Sequence, residues 1–276
     1  MNTQLGFPSN TKAAITLSID DCWENTSLIL FELLEKLNIC GTFNVIAGFP
    51  GKRMGPVKFA DWRLLREIAM HGNELASHSL THKPLNASMM PRLRKIADAA
   101  RYENPIRLSR RIISLLKHKQ TVTNVEHLSF KEELHLSRER IQERTGTSCK
   151  TYVYPGGNYD DRYKQMVMKA GYTSARSGHI GYNSARNIDI FALKVQVWDS
   201  KVNKETAKRW VNEALSHNHW LIEVIHAVNY PDYIYSANPQ DLRSHLEYVA
   251  DKRNDLWIST QNKIAEFLRP SRKIMK

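Results

Sequence analysis

Short apolar runs of strand length alternate with segments of helical period along most of the chain, and this alternation restricts the possible folds more than any other feature. Residues 13–19 (AAITLSI) form an apolar run relieved only by small hydroxyl side chains, as expected of a strand covered on both faces. Helical spacing follows over 27–37. A second strand is expected at 41–47, a helix over 61–70 with Asp61 as its N-cap, and a third strand at 74–77. Further on, 129–144 opens with Ser129 and has Glu132 three places later, a capping box, and closes at Gly146. Strands are expected at 151–154, 172–175, 192–197 and 220–225, with helices at 160–170 and 204–216. Strand followed by helix, repeated about seven times, predicts a parallel sheet, as a distorted β/α barrel or an open doubly wound sheet. Both architectures collect chemistry at the C-terminal ends of the strands.

A β/α barrel routinely takes about 200–250 residues as one unit. The whole of 1–276 is therefore expected to be one domain. Apolar residues make up 42% of it, enough for a real core. No apolar stretch approaches the length of a membrane span, and residues 1–20 lack a signal-peptide pattern. Cys22, Cys40 and Cys149 form no CxxC pair, so neither a disulfide framework nor a cysteine zinc site is expected. The expected location is cytoplasmic.

The net charge is +12, and its distribution is uneven. Residues 83–121 hold ten Lys or Arg against two acids, Asp98 and Glu103, an excess of eight positive charges. This basic stretch forms an expected helical insertion at about 86–123. Leu108, Ile112, Leu115 and Leu116 fall on one helical stripe there, with Arg107, Arg110, Arg111 and Lys117 on much of the remainder. Two readings stand: the helix packs its stripe on the barrel, or it meets an anionic membrane surface or a phosphate- or lipid-linked substrate. Tyr102 is the only aromatic residue of the stretch and no reader motif accompanies it, so nucleic acid is not the expected partner.

The expected strand ends carry an unusual polar set. Asp20 and Asp21 close the first apolar run, and adjacent carboxylates there serve either as turn formers or as ligands and bases. His78 and His82, four apart in HSLTH, directly follow the third strand. They are either two unrelated histidines or two imidazoles offered to one ion, and with one carboxylate they form a familiar catalytic zinc set that leaves water a position. His226 ends the apolar strand LIEVI as a general acid or as a structural histidine. At Tyr154-Pro-Gly-Gly, glycine permits close backbone approach and exposed N–H groups suited to an oxyanion. Glu223, inside its strand, receives no role.

In order and type these pieces resemble the polysaccharide deacetylase family, also called NodB-homology or chitin-deacetylase-like. Ser18-Ile19-Asp20-Asp21 resembles that family's T-F-D-D motif, which implies that Asp20 is the catalytic base and Asp21 a metal ligand. His78-Ser79-Leu80-Thr81-His82 meets H-S/T-x-x-H unchanged and implies two further ligands. Tyr152-Val153-Tyr154-Pro155-Gly156-Gly157 resembles a variant third motif, with the Gly156 N–H as oxyanion donor and Tyr154 at the substrate. Val153 stands where many members carry an arginine that orients the base. Val197-Trp198-Asp199 matches the fourth motif poorly, leaving Trp198 as a pocket wall and Asp199 as a partner tuning the acid. Val224-Ile225-His226 resembles Leu-x-His, and residues 236–246 with 255–260 resemble a closing region that completes the barrel. Cys22 replaces the usual glycine after the Asp pair.

The resemblance spans about residues 11–268. It implies a distorted barrel of about seven parallel strands, a divalent ion such as zinc, and hydrolysis of an N-acetyl or, less often, O-acetyl group on an amino sugar. Two rival functions remain: a deacylase of another small amide, a formamide or cyclic ureide, on the same fold, and a non-catalytic polyanion-binding protein using the basic stretch. Members resembling allantoinase tend to lack the metal histidines, which are both present here.

Overall fold

The structure, a computed structural model, describes residues 7–8, 11–84 and 128–269. The basic insertion expected at 86–123 lies outside the described residues. Seven strands run parallel: β1 (Ala13–Asp20), β2 (Thr42–Val45), β3 (Glu74–Ser77), β4 (Thr151–Val153), β5 (Ser174–Ile180), β6 (Leu193–Val197) and β7 (His219–Ile225). Each pairs with the next, and β7 returns to pair with β1, so the sheet closes as a β/α barrel and the open doubly wound alternative is excluded. Helices α1 (Glu24–Leu37), α2 (Trp62–Met70), α3 (Phe130–Thr145), α4 (Asp161–Lys169) and α5 (Lys204–His217) lie between strands, and α6 (Pro239–Asp251) follows β7.

The barrel is distorted at β1. One edge of β1 pairs with β7 along Ala14 to Ile19, while the other edge is divided. Its first half pairs with an eighth strand, β8 (Leu256–Ile258), and its last residues, Ser18 to Asp20, pair with β2. Helix α7 (Gln261–Leu268) follows and sends Ile264 and Ala265 into the inner core of Ala14, Leu193, Val195, Trp220, Ile222 and Val224. Alternation along β1 sorts the rest: Ala13, Ile15, Leu17 and Ile19 join the layer beneath the helices. Thr16, Ser18 and Asp20 take the inner face, where Trp220 donates to Thr16 and Asn44 to Ser18.

Local signals explain most boundaries. Asp61, Ser129, Asp160 and Asn203 each cap their helix with a side-chain oxygen, Ser129 and Glu132 complete a capping box, and Gly146 ends α3 in the left-handed region. Helix α1 starts at Glu24, three residues earlier than expected, and its N-cap, Trp23, offers no capping side chain to mark that start in the sequence. β5 runs five residues past the expected 172–175, a stretch containing Arg176, Ser177 and Gly178. Among the described residues no helix is long and apolar enough to cross a membrane.

Candidate active site

Register alone brings the first pair together. Ile19 faces Ile225 across the closure of the barrel, so the next residues, Asp20 and His226, stand side by side at the rim, with His226 Nε2 3.5 Å from Asp20 Oδ2. The other oxygen, Oδ1, accepts from Arg176 Nη2 at 2.5 Å and from Asn44 Nδ2 at 2.7 Å. Burial would raise the Asp20 pKa. The charges of Arg176, His226 and His78, with the Arg176 hydrogen bond, outweigh it and hold the carboxyl well below the usual range. Asp20 is therefore an ionised, oriented carboxylate whose Oδ2 faces the histidines.

At the end of β1 the chain turns through two left-handed residues, Asp21 (φ 65) and Cys22 (φ 51), swinging the Asp21 carboxylate towards the loop after β3. Cys22 thus keeps a conformation native to glycine, which accounts for glycine being usual there. Asp21 Oδ1 lies 3.6 Å from His78 Nε2 and 3.7 Å from His82 Nε2, and the two Nε2 atoms are 3.1 Å apart. Ligand atoms of Asp21, His78 and His82 all fall within 4.8 Å of one another.

This donor set fits a divalent ion. Two imidazole nitrogens at about 2.0–2.1 Å from one tetrahedral zinc stand roughly 3.3 Å apart, close to the separation found. The His78 Nδ1 atom lies 3.0 Å from the Val153 carbonyl and donates to it, which fixes the tautomer and turns the Nε2 lone pair inward. Burial, followed by the nearness of His82, pushes the His78 imidazole down to about 3, so it is neutral and able to ligate at physiological pH.

The YPGG turn lies against the same rim. A Cβ on Gly156 (φ 66) would sit 3.7 Å from Pro84, two residues past His82. Its neighbour Gly157 (φ 72) packs on Gly178 of β5, where a Cβ would come within 2.5 Å of the Gly178 Cα. Gly157→Ala is expected to destabilise the protein by roughly 2–5 kcal/mol, about 1–2 from the left-handed backbone and about 1–3 from overpacking. The urea midpoint checks this.

Two residues expected at the substrate occupy buried positions. Trp198 is fully buried, its indole N–H donating to Glu223 Oε2 at 2.9 Å and its ring packed against Trp210 and His245. Tyr154 is also buried: its hydroxyl donates to the Phe191 carbonyl at 3.0 Å and its ring stacks on Tyr159. Asp199 uses Oδ1 to accept from the Lys201 and Val202 N–H groups, a turn-forming role. Glu223, left without a role, accepts from His245 and Trp198 beneath the helices.

Three residues near the site escaped the sequence reading. Arg176 takes the position beside the base that Val153 leaves empty of charge, and it does so from the next strand, since Val153 and Arg176 are register partners. Asn44 lies in a strand that otherwise reads as apolar. Tyr235 lies over His226 with ring centroids 5.2 Å apart and is 44% exposed, at the end of a row that continues through Tyr233 to Trp23.

A closed parallel barrel thus gathers one carboxylate and two histidines at its C-terminal rim, a set that could hold a divalent ion, beside a second carboxylate and a third histidine. The sequence matches the family model described as polysaccharide deacetylase over residues 8–175, and the chain belongs to that family. No curated protein matches it. Among solved structures, a Mycobacterium smegmatis protein provisionally assigned as a polysaccharide deacetylase is similar at 14% identity. That match covers 96% of this chain and 92% of the other, with a TM-score of 0.58. The T48 deacetylase, solved with substrate, is similar at 11% identity over 92% of each chain, TM-score 0.54. The Streptococcus pyogenes deacetylase PplD, in complex with acetate, is 18% identical over 65% of this chain, TM-score 0.46, and this chain spans 62% of it. Likeness at these identities shows the fold.

Proposed function

We propose that the protein is a metal-dependent deacetylase that hydrolyses the N-acetyl group of an amino sugar in a polysaccharide or glycoconjugate. The convergence of Asp21, His78 and His82 within 4.8 Å, beside an oriented Asp20, carries this reading. Zinc is the expected ion, since a carboxylate and two imidazoles suit it. Bound there, it supplies Lewis-acid polarisation and lowers the pKa of water towards neutrality.

The chain's own groups divide the proton work. Asp20 Oδ2 accepts the proton of the attacking water while Arg176 and Asn44 hold Oδ1, so the carboxylate cannot turn away. The Gly156 N–H is the assigned donor to the oxyanion, a contact worth about 2.7–4 kcal/mol when well placed. As the C–N bond breaks, His226 gives a proton to the departing amine nitrogen, which leaves acetate and the free amine. Tyr235, Tyr233 and Trp23 offer aromatic faces beside His226 on which the apolar face of a pyranose ring can stack. Tyr235→Ala is expected to raise KM roughly 3- to 10-fold with little change in kcat.

The test joins metal analysis to acetate release from a panel of N- and O-acetylated sugars, with formamide and ureide substrates included. His78→Ala and His82→Ala are expected to lose metal and acetate release together. Full metal in both variants overturns the ligand set, and release from the ureides alone overturns the substrate class. The excess of positive charge in residues 83–121 supports a phosphate- or lipid-linked acceptor. If that is right, kcat/KM for a phosphorylated substrate falls with salt more steeply than for a neutral one.

A further inference from the structure

We propose that Glu133, in the first turn of α3, is a positioning residue that locks the histidine loop into its ligating shape; this rests on the ligand assignment above. Residues 78 to 82 carry two ligands and two left-handed non-glycine residues, Ser79 (φ 63) and His82 (φ 59). Such a backbone persists only where its surroundings impose it. One side of the loop is held by the chain after β2: Ala47 N–H donates to the Ser79 carbonyl at 2.9 Å and Gly48 N–H to the Leu80 carbonyl at 2.8 Å. A Cβ on Gly48 would fall 2.4 Å from that Leu80 oxygen, so this contact requires glycine.

The other side is held by a single carboxylate. Glu133 Oε2 accepts from the Leu80 and Thr81 N–H groups at 2.9 and 3.0 Å, and Oε1 accepts from Thr81 Oγ1 at 2.5 Å. Glu133 is 1% exposed and stands in the first turn of α3. All three bonds fall on the two residues before His82, so they set where its ring stands relative to His78. Removing the carboxylate leaves two sequestered N–H groups without an acceptor, and the loop regains them only by changing shape.

Glu133→Leu is expected to weaken zinc and cobalt binding about 10- to 100-fold, the range for groups that orient ligands. Chelator competition reads the affinity, and the visible Co(II) spectrum reads the coordination. Glu133→Gln should stay within a few-fold of wild type, because its oxygen still accepts from both N–H groups and the Thr81 hydroxyl can turn to accept from the amide. Amide exchange over residues 78–84 of the metal-free protein should be faster in the Leu variant. A residue that only stabilises the fold would lower thermal stability and leave the affinity and spectrum of the folded variant unchanged, and that result overturns the proposal. Should wild type take up no metal, the ligand assignment falls, and equal loop exchange in wild type and Glu133→Leu overturns the lock as well. If the Leu variant does not fold, Thr81→Val, which deletes one bond, should weaken metal binding by a smaller factor; wild-type affinity there counts against the lock.

Discussion

Asp20→Asn is expected to bind metal normally and to lose about 10²–10⁴-fold in kcat, the usual range for a general base. The substitution keeps the shape and leaves an oxygen for Arg176 and Asn44, so the ligands Asp21, His78 and His82 stay in place. It removes the only charged oxygen facing both His78 and His226 among the described residues. Arg176, 3% exposed, then faces a neutral amide. An uncompensated buried charge costs about 3–5 kcal/mol, so the thermal midpoint should fall by several degrees. Activity and metal content must therefore be measured well below that midpoint. Wild-type turnover in the metal-loaded variant sinks the assignment of Asp20 as base.

The parts of this site legible in the sequence are those whose position follows from the strand pattern. Asp20, Asp21, His78 and His226 each directly follow a buried run, and in a parallel barrel such positions meet at one rim whatever the details of the loops. His82 is legible through its spacing from His78. Trp198 and Tyr154 also sit at strand ends, yet the end of a strand gives a residue's depth and not the side it faces. Trp198 turns outward to Glu223 and Tyr154 to Phe191, a difference of one residue in a period of two. Arg176 was hidden for another reason. An arginine followed by Ser-Gly reads as the start of a loop, yet β5 continues through it, and its charge is tolerated inside only because Asp20 is its partner. Glu133 reads as one more charge on a polar helix face, and only the fold brings it to the histidine loop.

Arg176 supports the second large prediction. Arg176→Val is expected to destabilise the protein by about 3–5 kcal/mol, since it leaves Asp20 buried with its strongest countercharge gone. Arg176 is among the groups holding the Asp20 pKa down, so its loss moves that pKa up and shifts the acid limb of kcat/KM to higher pH. Val153 is the register partner of Arg176 on β4 and equally buried, and it occupies the position where the resemblance places the orienting arginine. Parallel neighbours in register present side chains to the same face. The exchanged double variant Val153→Arg/Arg176→Val should therefore recover a substantial part of both stability and kcat, whereas Val153→Arg alone crowds a second cation into the barrel and recovers nothing. Thermal denaturation and pH-rate profiles of the four proteins decide the matter. Wild-type behaviour in Arg176→Val removes arginine from the mechanism. A double variant no better than the single one shows that the orientation Arg176 gives to Asp20 Oδ1 is reachable only from β5, so that moving the arginine by one strand moves it out of reach of the base.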